Sequence, residues 1–299
     1  MFRFPKFRFT IAIALLGAFI ATAGPADAGI VDPCIVDVEF GVNTETISQI
    51  ALDITDQNNQ NFVQTQTMPR TAPTDFTLAQ SANLQYIRLS DSTILNEFNI
   101  ASASIVSPSF PTDGTVEVFS NGAVFEPGTP GSPGSAAFIT ELGQVHSNGD
   151  LASYIRVDGT STDSLWEVQY TAPVDPSSYL IVQERNGNTD FSITALDIDG
   201  NEIGDTLRFD APSYQWDTGI KNFLDPINNE QTQELSVIDF SLFNTTQDVY
   251  GFSVVNTGNA DFKFFFANAA PVPEPGSTAV VLTLLAGVGL RRRRQATAI

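Results

Sequence analysis

Oxygen donors alternate through Asp197-Ile198-Asp199-Gly200-Asn201-Glu202-Ile203-Gly204-Asp205. Carboxylates and amides spaced around a tight glycine turn can surround Ca²⁺, a hard cation that takes roughly six to eight oxygens. Asp197, Asp199, Asn201 and Asp205 are the candidate ligands, and calcium is the candidate cofactor. The segment departs from an EF-hand loop. Counted from Asp197, its sixth residue is Glu202 where that loop needs glycine, and its twelfth is Arg208 where the loop needs a bidentate glutamate. The plainer reading of the same residues is a hairpin, with strands over 189–198 and 201–204 joined at Asp199-Gly200.

A second constellation is Tyr214-Gln215-Trp216-Asp217. Aromatic rings stack on the C–H faces of sugars while an adjacent carboxylate bonds hydroxyls, so Tyr214, Trp216 and Asp217 form a candidate glycan-binding set. On a strand the two rings share one face. The competing reading packs them in the core or over its edge, and the reading turns on whether they are exposed. Trp166, inside an alternating strand, is expected in the core.

Other chemistry finds little support, and the expectation is a protein that is not an enzyme. Carboxylate pairs are abundant in a chain of 299 residues with 34 acidic and 14 basic side chains, so no pair is informative without geometry. The single His, His146, precedes Asn148-Gly149 and is expected to be an exposed bystander. The single Cys, Cys34, has no internal partner and reads as a free thiol, an intermolecular crosslink or a small buried hydrophobe. These counts exclude zinc sites of four cysteines or of two cysteines and two histidines. No Gly-rich phosphate loop occurs. A net charge of −20 and a pI near 4.1 exclude nucleic acid as a partner, because a phosphate backbone needs a basic face.

The elements that would position these residues are strand-like nearly throughout. Trp166, Val168 and Tyr170 alternate with Glu167 and Gln169; Phe191, Ile193 and Ala195 with Ser192 and Thr194; Tyr250, Phe252 and Val254 with Gly251, Ser253 and Val255. Period-two spacing places each set on one face of a pleated strand. Asn121-Gly122, Asn148-Gly149, Asp158-Gly159, Asn186-Gly187, Asp199-Gly200 and Asn256-Thr257-Gly258 punctuate the strands with residues that tolerate positive φ. The fold class expected is all-β, an antiparallel β-sandwich or jelly-roll-like body. A short helix over 91–102 is the one helical suggestion inside it. The run 126–135, rich in Pro and Gly, cannot hold a ladder. It reads as a surface loop or as a linker dividing the body near residue 130, into a β-rich region 29–130 and a sandwich region 131–271.

Both ends read as addresses. Residues 1–28 have a basic start (Arg3, Lys6, Arg8), an apolar run over 11–20 and the small-x-small site Ala26-Asp27-Ala28. This is the pattern of a helical signal peptide cut by signal peptidase before Gly29. An uncleaved anchor is the alternative. The far end, 272–299, has three parts: Val272-Pro273-Glu274-Pro275, an uncharged apolar dozen over 279–290, and Arg291, Arg292, Arg293 and Arg294. As a helix rising about 1.5 Å per residue, the dozen spans roughly 18 Å, short of a hydrocarbon core about 30 Å thick. It is therefore a marginal transmembrane helix, and the arginines hold its end in the cytoplasm.

This tripartite tail resembles the PEP-CTERM sorting signal of exported bacterial proteins. The resemblance rests on Val272, Pro273, Glu274, Pro275, the apolar helix and the four arginines, in that order at that end. It covers 272–299 and leaves the central body unassigned. It implies that an integral-membrane exosortase recognises the tail and cleaves near Pro-Glu-Pro, after an inner-membrane intermediate in which the tail holds the chain in the membrane. The product is then a protein of the cell surface or extracellular matrix. A stop-transfer anchor after a Pro-rich spacer is the alternative.

Residues 29–272 keep seven of the basic side chains and 32 of the acidic ones, a net charge of −25. Few carboxylates can then find a cationic partner, and salt or divalent cations must screen their repulsion. The function expected is a non-enzymatic adhesion or matrix protein, with surface glycans or matrix polymers as partners. A lectin-like module is the alternative.

Overall fold

The computed structural model describes residues 34–39, 44–68, 77–98, 103–109, 115–127, 134–158, 164–186, 189–210, 216–224, 231–256 and 260–269, all within one compact unit, Val31–Ile299. The expected cleavage residues Ala26 and Ala28, both expected terminal helices and residues 272–299 lie outside these residues, as does Tyr214.

The described residues are predominantly β. In chain order the strands are β1 Ile35–Val38, β2 Ile47–Asp56, β3 Asn61–Thr67, β4 Thr77–Leu89, β5 Ile94–Glu97, β6 Ala103–Ser109, β7 Thr115–Ser120, β8 Ala123–Phe125, β9 Tyr154–Asp158, β10 Ser164–Val174, β11 Tyr179–Arg185, β12 Phe191–Leu196, β13 Glu202–Phe209, β14 Trp216–Asp217, β15 Ile220–Asn222, β16 Gln233–Asp239, β17 Val249–Asn256 and β18 Ala260–Ala269. A helix, α1 Ala136–Val145, lies between β8 and β9, and a 3-10 turn, Phe240–Phe243, follows β16. Pairing is antiparallel except for β1 on β13 and β15 on β4.

One sheet runs β1-β13-β12-β17-β10-β6. A second runs β14-β16-β11-β18 and continues through β9 to β7 and β8. At its far end β18 leaves β11 and pairs with β5, which joins it to β5-β4-β2-β3. Strand β18 therefore belongs to both arrays, and its side chains feed two cores. Phe262, Phe264 and Phe266 pack with Trp166, Phe191 and Phe252 in the first core. Phe265 and Ala267 pack with Ile50, Leu52 and Trp216 in the second. Strand β11 divides likewise, with Leu180 and Val182 in the first and Ile181 in the second. A strand covered on both faces reads as a continuous apolar run, and 262–267 is such a run broken only by Lys263. Phe262 is stacked between Trp166 at 5.4 Å and Phe191 at 4.3 Å, with ring planes within 16°.

Local sequence explains the tight connections. Asn121 and Gly122 sit at φ 51° and 72° and join β7 to β8 with Ser120 opposite Ala123, the left-handed pair that a two-residue hairpin requires. Gly204 (φ 69°) lies within the register shift between β12 and β13, and a Cβ there would collide with the Phe243 carbonyl.

Two expectations are corrected. Residues 94–97 form β5, not part of a helix over 91–102; Asp91 instead closes a turn by accepting from the Thr93 N–H at 2.8 Å. The helix lies at Ala136–Val145, directly after the Gly/Pro-rich run. Ser135 caps it by accepting from the Phe138 N–H at 3.1 Å, and it buries Phe138, Leu142 and Val145 on one face. Strands before and after residue 130 also share pairing and cores, as β18 with β5 and β15 with β4 show. The described residues on either side of residue 130 therefore belong to one unit. Among the described residues, no helix is long and apolar enough to cross a membrane.

Candidate functional site

The most unusual chemistry lies where the second sheet meets the segment between α1 and β9. Strand β4 has β2 along one edge. Its other edge takes β15 at Thr77–Ala79 and β5 near Ile87 and Arg88, which leaves a gap between them. Residues 149–151 fill that gap. The Leu84 N–H donates to the Gly149 carbonyl at 3.0 Å and the Leu151 N–H to the Ala82 carbonyl at 2.9 Å. Asn148-Gly149 is thus no hairpin turn; it opens a surrogate strand. The Asp150 carboxylate fixes this segment by accepting from the Ala82 N–H (2.6 Å), the Ala152 N–H (3.1 Å) and the Ser153 hydroxyl (2.7 Å).

The outward carbonyls of the segment are met by polar side chains rising from β18 and β11. Lys263 is fully buried, and its Nζ donates to the Asn148 carbonyl (3.1 Å), Asn148 Oδ1 (3.2 Å) and the Asp150 carbonyl (2.6 Å), 4.8 Å from the Phe265 ring centroid. Burial pulls the Lys263 amine down to about 7, with the Asp150 charge opposing. Gln183, also buried, donates to the Leu151 carbonyl and to Gln233 Oε1, each at 2.9 Å.

His146 starts this segment and is fully buried, not exposed as expected. Its Nδ1 lies 3.2 Å from the Phe264 carbonyl, and its ring sits 4.3 Å from the Phe264 ring. Burial drives its pKa down to about 3, so the imidazole is neutral at physiological pH. Helix α1 delivers it inward, since His146 is the C-cap next to buried Val145.

On the same face of the second sheet, charges of alternating sign stand in cross-strand register. Arg185 reaches Asp261 by an ion pair, Asp261 faces Arg156, and Arg156 faces Glu117, across β11, β18, β9 and β7. Arg185 pairs with Asp261 and also donates to the Tyr154 hydroxyl at 3.2 Å; Arg156 pairs with Glu117 at 3.3 Å. Arg156, Arg185, Lys221 and Lys263 are all buried, which is four of the seven basic groups in 29–272. Buried carboxylates among the described residues are Asp150, Glu184 and Asp261. The fold places cations inside and leaves its surface to carboxylates.

The sequence-selected residues fall as follows. Asp197 Oδ1 accepts from the Asp199 and Asn201 N–H groups, each at 2.9 Å, and Asn201 Nδ2 donates to Asp197 Oδ2 at 3.0 Å. Gly200 takes φ 82° in the loop between β12 and β13. This is the hairpin reading: an amide donor stands where a cation would have to sit, and no group of three or more acidic, His or Cys side chains among the described residues is placed to hold a metal. Asp205 lies further along β13. Trp216 is 1% exposed in the second core, so its ring has no face free for a sugar. Asp217 is half-buried and accepts from the Gly219 N–H at 2.7 Å. Trp166 is fully buried in the first core, as its alternating strand predicted. Cys34 is an exposed free thiol. Comparison with protein-family models, characterised proteins and solved structures finds no match for the chain.

Proposed function

We propose that this chain is an exported, non-enzymatic protein of the cell surface or extracellular matrix, sorted through its PEP-CTERM-like tail and serving in adhesion or matrix building. One observation carries the reading: Pro273-Glu274-Pro275, an apolar dozen and four arginines stand in that order at one end, with a signal-peptide pattern at the other. Signal peptidase and an exosortase are the processing partners, and the mature body is a stacked, sandwich-like β structure.

The distribution of charge supports a life in saline or calcium-bearing surroundings. With most of its few cations buried, the body has little surface charge with which to neutralise its own carboxylates. Binding to matrix polymers or cells bridged by divalent cations suits such a surface without a dedicated metal site.

The test is fractionation of the native host expressing the full chain or a variant in which Pro273, Glu274 and Pro275 are replaced by alanine. The wild type reaches the surface fraction and the variant stays in the inner membrane. Equal distribution of the two refutes sorting by the tail.

A further inference from the structure

We propose that Lys263 and Asn148 form an intramolecular isopeptide bond, a covalent tie between β18 and the segment after α1. The two side chains come from positions 115 residues apart and meet inside the protein, with Lys263 Nζ 3.2 Å from Asn148 Oδ1. Lys263 is fully buried, so water does not compete for its amine.

The surroundings supply what amide exchange needs. A nucleophilic lysine must be uncharged, and complete burial favours the free amine over the ammonium, against the opposing pull of the Asp150 charge and the Phe265 ring face. Its pKa, brought down to about 7, leaves a substantial fraction as free base near neutral pH. The Asn148 carboxamide is polarised at both ends. Oδ1 accepts from the Asp150 N–H at 3.0 Å, a donor already placed for the oxyanion of a tetrahedral adduct. Nδ2 donates to the Gln144 carbonyl at 2.8 Å, so the leaving nitrogen points toward exposed Gln144 and has a way out. Gly149 and Asp150 are held by β4, so the carboxamide waits in place.

The step balances without a cofactor. The amine lone pair of Lys263 attacks Asn148 Cγ and forms the new C–N bond. The adduct collapses by breaking the Cγ–Nδ2 bond, and a proton moves from the attacking nitrogen to the departing one. Ammonia leaves, and no atom changes oxidation state. The inference is independent of the proposed sorting.

The test is peptide mapping of the purified, folded full chain by mass spectrometry after trypsin. Trypsin does not cut after an acylated lysine. A bond therefore yields one branched species joining peptide 89–156 to the peptide that begins at residue 222, about 17 Da lighter than their sum, which is the mass of the lost ammonia. In Asn148→Ala and Lys263→Met the branched species disappears and linear peptides take its place. Recovery of separate peptides from the wild type, with cleavage after Lys263, overturns the proposal. So does conversion of Asn148 to aspartate or isoaspartate with Lys263 free, which would mean that the asparagine reacts with water or with the adjoining Gly149 backbone instead.

Discussion

Asp261 is the residue on which the buried charge ladder depends, because it stands between Arg185 and Arg156 on neighbouring strands. Its side chain is 12% exposed, that of Arg185 3% and that of Arg156 10%. Replacing Asp261 with Asn keeps shape and removes the buried anion that pairs with Arg185. Removing one partner of a buried pair costs about 3–5 kcal/mol, mostly from the charge left uncompensated. The control is Asp210→Asn, which breaks the pair with Arg208 on the surface, where the side chains are 49% and 41% exposed. That pair is worth about 0–1 kcal/mol. Urea unfolding of each variant at low and high NaCl measures both costs. The Asp261→Asn cost should change little with salt, and the small Asp210→Asn cost should fade. The double change Arg185→Met, Asp261→Leu should recover most of the loss, because an apolar pair of similar volume needs no compensation. If Asp261→Asn costs no more than the surface control, or if its cost vanishes in salt, the ladder is not buried and coupled as described.

Neighbours on one strand give a sharper contrast. Trp166→Ala removes a fully buried ring that stacks on Phe262 and should cost about 3–5 kcal/mol, whereas Leu165→Ala, at 45% exposure, should stay within about 0.5 kcal/mol by the same denaturation assay. Glu234 faces Asp217 across β14 and β16, and burial first, then that carboxylate, raises its pKa from 4.5 to about 7. A raised carboxyl pKa means that the fold prefers the protonated acid, so wild-type stability declines as pH rises from about 4.5 through 7. Glu234→Gln should therefore melt at the same temperature as wild type near pH 4 and above it at pH 8; a smaller melting temperature at pH 8 would reverse the sign of the argument.

Local patterns in the sequence were informative wherever the fold answers to neighbours. The alternation around Trp166, Phe191 and Phe252 marks strands with those residues inside, and Asn121-Gly122 and Asp199-Gly200 mark turns, because φ preference and pleat are decided within a few residues. Helix α1 escaped because ten residues give too few turns for a clear period; Ser135 at its N-cap, with Phe138, Leu142 and Val145 spaced four and three apart, was the available sign. Lys263 among phenylalanines was a sign of another kind. A single cation inside the otherwise apolar run 262–267 has to find acceptors within the core, and its partners Asn148 and Asp150 are more than 110 residues away. The ladder had no local sign, since Arg185 and Asp261 meet only through a pairing that spans 76 residues. His146 lies inside for the same reason: the residues that follow it, Ser147 and Asn148, are polar, whereas its neighbours in space are Phe264 and Tyr170.

The central claim is that an acidic β body is delivered outside the cell and released from the tail that sorts it. Mass spectrometry of both termini of the protein recovered from the surface of its native host tests it most directly. The account predicts an N-terminus at Gly29 and no peptide containing Arg291, Arg292, Arg293 or Arg294. A surface form that retains those arginines would contradict it, as would a full-length chain found soluble in the cytoplasm.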